Sequence, residues 1–340
     1  MAVGDTGQVG VRSYLAVGRE STLGTYASAT TAIEFISSSI KTEIDSMKLD
    51  TMAAGKRGFS RRVQLDKKVQ GTIESYLHPQ ESVLMIASAL GGALVSNSLT
   101  SAADHSITAG NYDTTTAILG LSFNSRKGDG LTWRYSGGRV NSLKISGTIG
   151  EPLKVSAEVF FRDSTQQSDD IAAILSISSV MPFTYVDGNY KYADTEANAA
   201  NSTNSERIQA FELTINNNIE YGAPARELGS RTPRILPARR RDIEFKITQR
   251  FDTTTTWTRF TQATQGSVEL FMSGQTISAE YNYEMTIRMP KVFYNSPDME
   301  LTGADQVLQS EIVFDVLDGD PDTTTGKDIG FTIRNNVVSY

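Results

Sequence analysis

Apolar and polar residues alternate by two along much of this chain, the period of strands with one face in a core and one in water. In Val69–Leu77 the set Val69, Gly71, Ile73, Ser75, Leu77 takes one face, and Gln70, Thr72, Glu74, Tyr76 the other. Ile243 to Phe251 repeats the pattern, with Ile243, Phe245, Ile247 and Phe251 opposed to Glu244, Lys246, Thr248 and Arg250. Further strands are predicted over 118–124, 141–149, 155–161, 210–215, 268–272, 284–293 and 311–317. This is the strand count of two small sandwiches or barrels. Helical spacing is rare. His78-Pro79 followed by Val83, Ile86, Ala87, Leu90 and a stop at Gly91 predicts one short helix. Trp257 and Phe260 mark a weaker second helix after the capping run that starts at Asp252, and 168–175 a further helical turn.

These features recur in one order, which points to an internal duplication. A polar strand (Phe35 to Leu49), a loop rich in Gly and Arg (Met52 to Arg62), an alternating strand and a helix are followed by a second such series. Its parts are Phe211 to Tyr221, Arg226 to Arg234, Ile243 to Phe251 and the Trp257 segment. Equating Val69, Ile73 and Leu77 with Ile243, Ile247 and Phe251 sets an offset of about 174, and matching Ala157–Phe161 to Ser310–Phe314 a second of about 153. The expected organisation is an N-terminal arm (1–30), a first β domain (31–165), a linker (166–205), a second β domain (206–318) and a C-terminal arm (319–340). The Asn- and Ala-rich run from Asp194 to Asn204 has the composition of a solvated connection.

Composition narrows the chemistry. The 340 residues include no Cys, which removes thiolate nucleophiles, disulfides and Cys-based metal sites. The only histidines, His78 and His105, stand 27 positions apart without a carboxylate cluster beside them, so neither a histidine metal site nor a Ser-His-Asp relay is indicated. A net charge of −7 argues against a dedicated nucleic-acid binder, whose affinity rests on Lys and Arg, and suits a protein kept soluble at high concentration. Neither a secretory leader nor an uninterrupted apolar run of spanning length is read in the sequence, so the expectation is a chain made and left in a cytoplasm.

Asp318-Gly-Asp-Pro-Asp322 with Asp328 lacks the sixth-position Gly and the twelfth-position carboxylate of a calcium loop, and an acidic turn is expected there. No phosphate-cradling Gly motif occurs, and no spacing selects a carboxylate pair for glycoside chemistry. Two basic loops stand out: Lys56, Arg57, Arg61 and Arg62 with Lys67-Lys68, and Arg231 and Arg234 with Arg239-Arg240-Arg241. A DNA patch is one reading. The negative total and the absence of interleaved aromatic residues favour contacts to acidic residues of a neighbouring subunit.

Glu20-Ser-Thr-Leu-Gly-Thr-Tyr26, Ile44-Asp-Ser-Met-Lys-Leu49, Gly55-Lys-Arg-Gly-Phe59 and Val69-Gln-Gly-Thr-Ile73 leading into Pro79 and its helix resemble the major tail tube proteins of long, non-contractile-tailed bacteriophages. The resemblance implies a mainly β fold of two tandem tail-tube-like sandwich or barrel domains, each with a short flanking α-helix. It also implies rings whose inner sheets join into a β-barrel and stack into a tube that DNA passes through, with no catalytic, cofactor or metal site and no membrane.

The family places six domains in a ring, so two per chain implies three chains. Lys56, Arg57, Phe59, Arg61, Arg62, Arg231, Arg234, Arg239 and Arg240 are then expected to stack rings, and Gln70, Thr72, Glu74, Glu244 and Thr248 to face the lumen. Lys246 and Arg250 are exceptions to an acidic bore. The partners implied are further copies of the chain, a tape-measure protein, a tail terminator and a baseplate or distal tail protein, in a virion tail assembled in host cytoplasm. The alternatives are a secretion-system tube, a capsid-decorating sandwich, or a carbohydrate-binding or hydrolytic sandwich, the last opposed by having only Trp133 and Trp257.

Overall fold

The computed structural model describes residues 13–50, 58–59, 61–112, 117–128, 132–167, 177–202, 208–250, 255–299, 309–319 and 327–340. The first half carries β1 (Tyr14–Glu20), β2 (Thr31–Ile33), β3 (Phe35–Ser38), β4 (Lys41–Lys48), β5 (Arg62–Tyr76), α1 (Val83–Leu90), β6 (Gly91–Ser98), β7 (Ala103–Ala109), β8 (Gly120–Arg126), β9 (Thr132–Thr148), β10 (Lys154–Phe161) and β11 (Asp163–Gln167). The second carries β12 (Gly188–Ala193), α2 (Glu196–Asn201), β13 (Ile208–Asn216), β14 (Asp242–Arg250), α3 (Thr255–Thr261), β15 (Gly266–Thr276), β16 (Asn282–Met299), β17 (Gln309–Val316) and β18 (Gly330–Asn335). The fold is mainly β and its strand pairs are antiparallel.

Two long strands organise it. β9 pairs through its first half with β8 and β11, and through its second half with β10 and β13. β16 does likewise: its first half pairs with β15 and β18, its second with β17. One ladder therefore runs β4–β5–β10–β9–β13–β14–β17–β16, with β3 beside β5 where β4 ends. Its core face carries Val69, Ile73, Leu143, Ile145, Leu213, Ile215, Phe245, Ile247, Ile312 and Phe314, each at most 1% exposed.

Behind this ladder lie two smaller strand groups, β2–β1–β8–β9–β11 and β12–β15–β16–β18–β7–β6. Aromatic contacts tie each to the ladder. Phe123 of β8 meets Phe161 of β10 edge-on at 5.4 Å, and Tyr190 of β12 stacks with Phe245 of β14 at 6.4 Å. Full burial of side chains this size contributes about 1.5–3 kcal/mol each. The predicted helix is α1, buried along its whole length and closed by Gly91 in the left-handed region at φ 64°. The Trp257 segment forms α3, while the turn predicted at 168–175 and most of the Asp318–Asp322 turn lie outside the described residues.

Segments expected as arms and linker hold strands. β1 lies in the N-terminal arm, β12 in the linker and β18 in the C-terminal arm. The reason is the same alternation at shorter length: Leu15 and Val17, Tyr190 and Tyr192, and Ile329, Phe331 and Ile333 are all buried. The hairpin β6–β7 also crosses over, because β7 pairs with β18 in the group behind the second half of the ladder. Past β18 the chain is pinned. Asn335 Nδ2 donates to the Pro79 carbonyl at 2.9 Å, its Oδ1 meets His105 Nε2 at 3.0 Å, and the Tyr340 hydroxyl donates to the Gln80 carbonyl at 2.8 Å.

Next to that clasp Glu81 is 3% exposed and accepts the Glu34 N–H at 2.7 Å. Burial, with the Glu34 carboxylate nearby, pushes its carboxyl up to about 7. Such a group binds its proton more tightly folded than unfolded, so its contribution to stability is full below about 4.5 and is lost as pH rises through about 7. His78 and His105 are shifted down by burial and work in the opposite sense. Glu81→Gln is therefore expected to raise stability at pH 8 by on the order of 2 kcal/mol relative to its effect at pH 5. Urea midpoints of both proteins across that range check it, and a mutational effect independent of pH would refute it.

Candidate assembly face and loops

The ladder's second face is open, and pairing aligns its side chains in rows. One row runs Glu74, Ser156, Lys144, Thr214, Glu244, Asp315, and the next Lys154, Ser146, Glu212, Lys246, Val313. All five residues expected at a lumen share this face: Gln70 and Thr72 beside Glu74 on β5, and Thr248 beside Glu244 on β14. Glu74 and Glu244 are exposed and the other three half-buried. Glu43, Glu158, Glu311 and Asp242 lie on it too, so carboxylates outnumber Lys41, Lys68, Lys144, Lys154, Lys246 and Arg250.

The lysines here are matched. Lys246 Nζ is 2.6 Å from Glu244, which holds its ammonium above the ordinary lysine range, with Glu212 and Glu311 adding to the effect. Lys144 bonds Glu212 at 2.8 Å across the β9–β13 pair. An apparent exception to an acidic face is thus a cation neutralised by its neighbours. The sequence reading named one acid on each of two strands. It missed Glu158, Glu212, Glu311 and Asp315, whose strands were recognised and whose side follows from alternation, but whose alignment with Glu74 and Glu244 in one row requires the register.

The two basic loops behave differently. Lys56 and Arg57 lie outside the described residues. Phe59 is 62% exposed, with the Lys48 ammonium 5.7 Å from its ring, and Arg61 and Arg62 are exposed. Arg62 opens β5, whose outer part forms with that of β4 a two-stranded arm on which Ile44, Met47, Val63 and Leu65 are 40–51% exposed. Apolar side chains thus stand in water on both strands of the ribbon.

The second loop, between β13 and β14, lies down across the first half of the chain. Buried Asn217 donates its Nδ2 to the Ala89 and Val140 carbonyls at 2.7 and 2.9 Å. The Tyr221 hydroxyl accepts the Val69 N–H at 2.6 Å and donates to the Phe161 carbonyl at 2.8 Å, while its ring stacks on Phe160. Arg231 donates Nε to the Leu65 carbonyl at 2.9 Å and a guanidinium N–H to Gln64. Arg234 is 3.3 Å from Glu227, Arg239 pairs with Glu220, and Arg240 is 3.9 Å from Asp242. Arg241 binds Asp328 through both carboxylate oxygens at 2.9 and 2.8 Å and donates to the Leu90 and Gly110 carbonyls.

Among the described residues no three His, Asp or Glu converge as metal ligands, and no helix is long and apolar enough to cross a membrane. A ladder with one core face, one wide polar face and a projecting ribbon defines a sheet-built assembly subunit. The family model for phage tail tube protein matches residues 10–327, and the chain belongs to that family, a structural component of the virion tail that self-assembles. A search of curated proteins finds no match.

Tyr221 holds the second loop onto the first half through a buried hydroxyl. Tyr221→Phe leaves the Val69 N–H without that acceptor and is expected to cost about 1–3 kcal/mol in a denaturant titration. A change below 0.5 kcal/mol would remove this bond from the account.

Proposed function

We propose that the chain carries two copies of one tube-forming unit, that three chains close a pseudo-sixfold ring, and that stacked rings form the conduit for DNA ejection. The observation that carries this is the ladder's internal repetition. Ile73 pairs with Ala157 as Ile247 pairs with Ile312, and Gly71 with Val159 as Phe245 with Phe314. This preserves the offset of 174 for the middle strands and moves the second offset from about 153 to 155, the distance from Ala157 to Ile312.

The irregularities repeat as well. β9 bulges at Asn141 between Val140 and Ser142, and β16 bulges at Asn295 between Tyr294 and Ser296. β3 slips register at Ile36 and β13 at Gln209. Bulges are retained features of a strand pair, so two at matching places weigh more than shared alternation.

In this reading the open acidic face lines the bore. Fixed carboxylates repel DNA phosphates within about a Debye length, ~8 Å in physiological salt, and offer no counterion release to hold the duplex. The β4–β5 arm, including Lys56, Arg57, Phe59, Arg61 and Arg62, reaches a neighbouring ring. Tape-measure, terminator and distal tail proteins complete the tail, which is assembled in the host cytoplasm. The role is structural, without catalysis or cofactor.

Electron microscopy of the concentrated protein tests the reading. Tubes are expected whose end-on averages show six lobes from three chains, and six chains per ring would overturn the count. The bore assignment has its own test. Combining Glu74→Lys, Glu244→Lys and Glu311→Lys is expected to leave tubes intact and to confer DNA retention that falls roughly tenfold or more between 50 and 200 mM salt. Tubes that gain no affinity for DNA would place this face elsewhere.

A further inference from the structure

We infer that Leu228 of one chain seats in an apolar cavity at the opposite end of the ladder of a second copy, as one contact between successive rings. The inference rests on the tube reading above and adds to it a named side chain and the surface that receives it. Strand β13 joins the two features. Residues at its start line the cavity, and the loop that carries Leu228 begins where it ends.

The loop leaves the ladder after Asn216 and returns at Asp242, which face each other in the β13–β14 pair. It climbs beside the β4–β5 arm. The Arg231 carbonyl accepts the Lys67 N–H at 2.9 Å and Arg231 Nε donates to the Leu65 carbonyl, so the loop passes beyond Val69, the last residue of β5 paired with β10. Within it the Ser230 N–H donates to the Glu227 carbonyl at 3.2 Å, closing a turn in which Gly229 has φ 90°. A positive φ at the third of four residues marks the type II turn and explains the Gly. Leu228 is the second residue of that turn and is fully exposed. Arg226 braces it from one side, donating to the Lys67 carbonyl at 3.3 Å and the Arg231 carbonyl at 2.7 Å, and the Arg234 N–H from the other, donating to the Ala225 carbonyl at 2.8 Å. One exposed leucine is ordinary by itself, and the far end of β13 gives this one its meaning.

There Ile208 to Phe211 form part of the wall of a cavity of about 290 Å³, between the ladder and the outer group that holds β12 and β15. Its lining runs from Leu153, Leu270 and Met272, all buried, to Ile149 and Tyr185, both exposed. A cavity of about 150 Å³ with apolar walls already takes a benzene molecule, so a leucine side chain has room here. By sequence Thr203 to Arg207, which precede Ile208, include no aliphatic or aromatic residue. The wall also holds an acceptor. Gln209, at the irregularity of β13, has its side-chain carbonyl buried without a hydrogen-bond partner among the described residues. A turn entering with Leu228 brings the Leu228 and Gly229 N–H groups, which the hydrogen bond of the turn does not use.

The two features stand well apart. The loop is level with Leu65, while Gly147 and Thr148 of the cavity follow Ser146, which lies in register with Lys154 and Tyr76. From Leu65 to Tyr76 at about 3.3 Å per residue is roughly 36 Å along the strands. Knob and cavity at opposite ends of one ladder cannot meet within a chain. Between chains they repeat without closing, the heterologous contact that builds open stacks.

Leu228→Asp and Ile149→Asp each place a carboxylate at this contact from a position already in water, so neither is expected to move the thermal midpoint. Each is expected to leave rings and to raise the protein concentration needed for tubes by roughly ten- to hundredfold, the range that burying one leucine carries. Combining Leu228→Lys with Ile149→Asp is expected to lower that concentration roughly threefold from the Ile149→Asp level. If Ile149→Asp lowers the thermal midpoint, Tyr185→Asp, combined in the same way, takes its place. Tubes from Leu228→Asp at the concentration that suffices for the unsubstituted chain would overturn the inference and leave the tube reading standing. A charge pair that assembles no better than its Asp variant alone would also overturn it, because Leu228 then meets another surface. An unsubstituted chain that forms neither rings nor tubes would overturn both.

Discussion

Backbone hydrogen bonding across the ladder is the constraint on which the rest depends. Each strand must place its N–H and C=O groups against a neighbour or leave them to water. The chain satisfies that demand continuously from β4 through β5, β10, β9, β13, β14 and β17 to β16, so the two halves share one sheet and their junction is an ordinary strand pair. A relative rotation of the halves would break the seven residue pairs between β13 and β9 together. The polar face is therefore presented as one surface, and its charge pattern belongs to the ladder as a whole.

The core side follows from the same demand. A strand pair buries one face only when something covers it, and here two outer groups do so with aromatic contacts at Phe123–Phe161 and Tyr190–Phe245. The crossing of β6–β7 to the far group carries the cover from one half to the other. Tyr340 and Asn335 then lock the chain's end over Pro79 and Gln80, just ahead of α1.

Alternation in the sequence marked β5, β10, β13, β14 and β17, and Pro79 with Gly91 marked α1, because these signals are local. β1, β12 and β18 carry the same signal in short runs flanked by Gly, Ser and Asp, and composition made those segments look like arms and linker. The destination of β6–β7 has no local signal at all, since Ile107 and Phe331 meet only through a pairing of distant segments. The candidate face was legible in part for the same reason. Glu74 and Glu244 can be assigned a side from their own strands, whereas the match of Lys246 to Glu212 and Glu311 needs the register of β13, β14 and β17.

The two basic loops have different surroundings. Both leave the ladder from corresponding strands, yet the second is spent inside the chain, with Asn217, Tyr221, Arg226 and Arg231 bound to backbone of the first half. The first extends as a ribbon whose Ile44, Met47, Val63 and Leu65 stay in water. A ribbon of two strands is marginal alone, and this one is held at its base by Arg231 and Arg226 of the second loop. The second loop is a clamp within the chain, and the described part of the first leaves apolar surface in water.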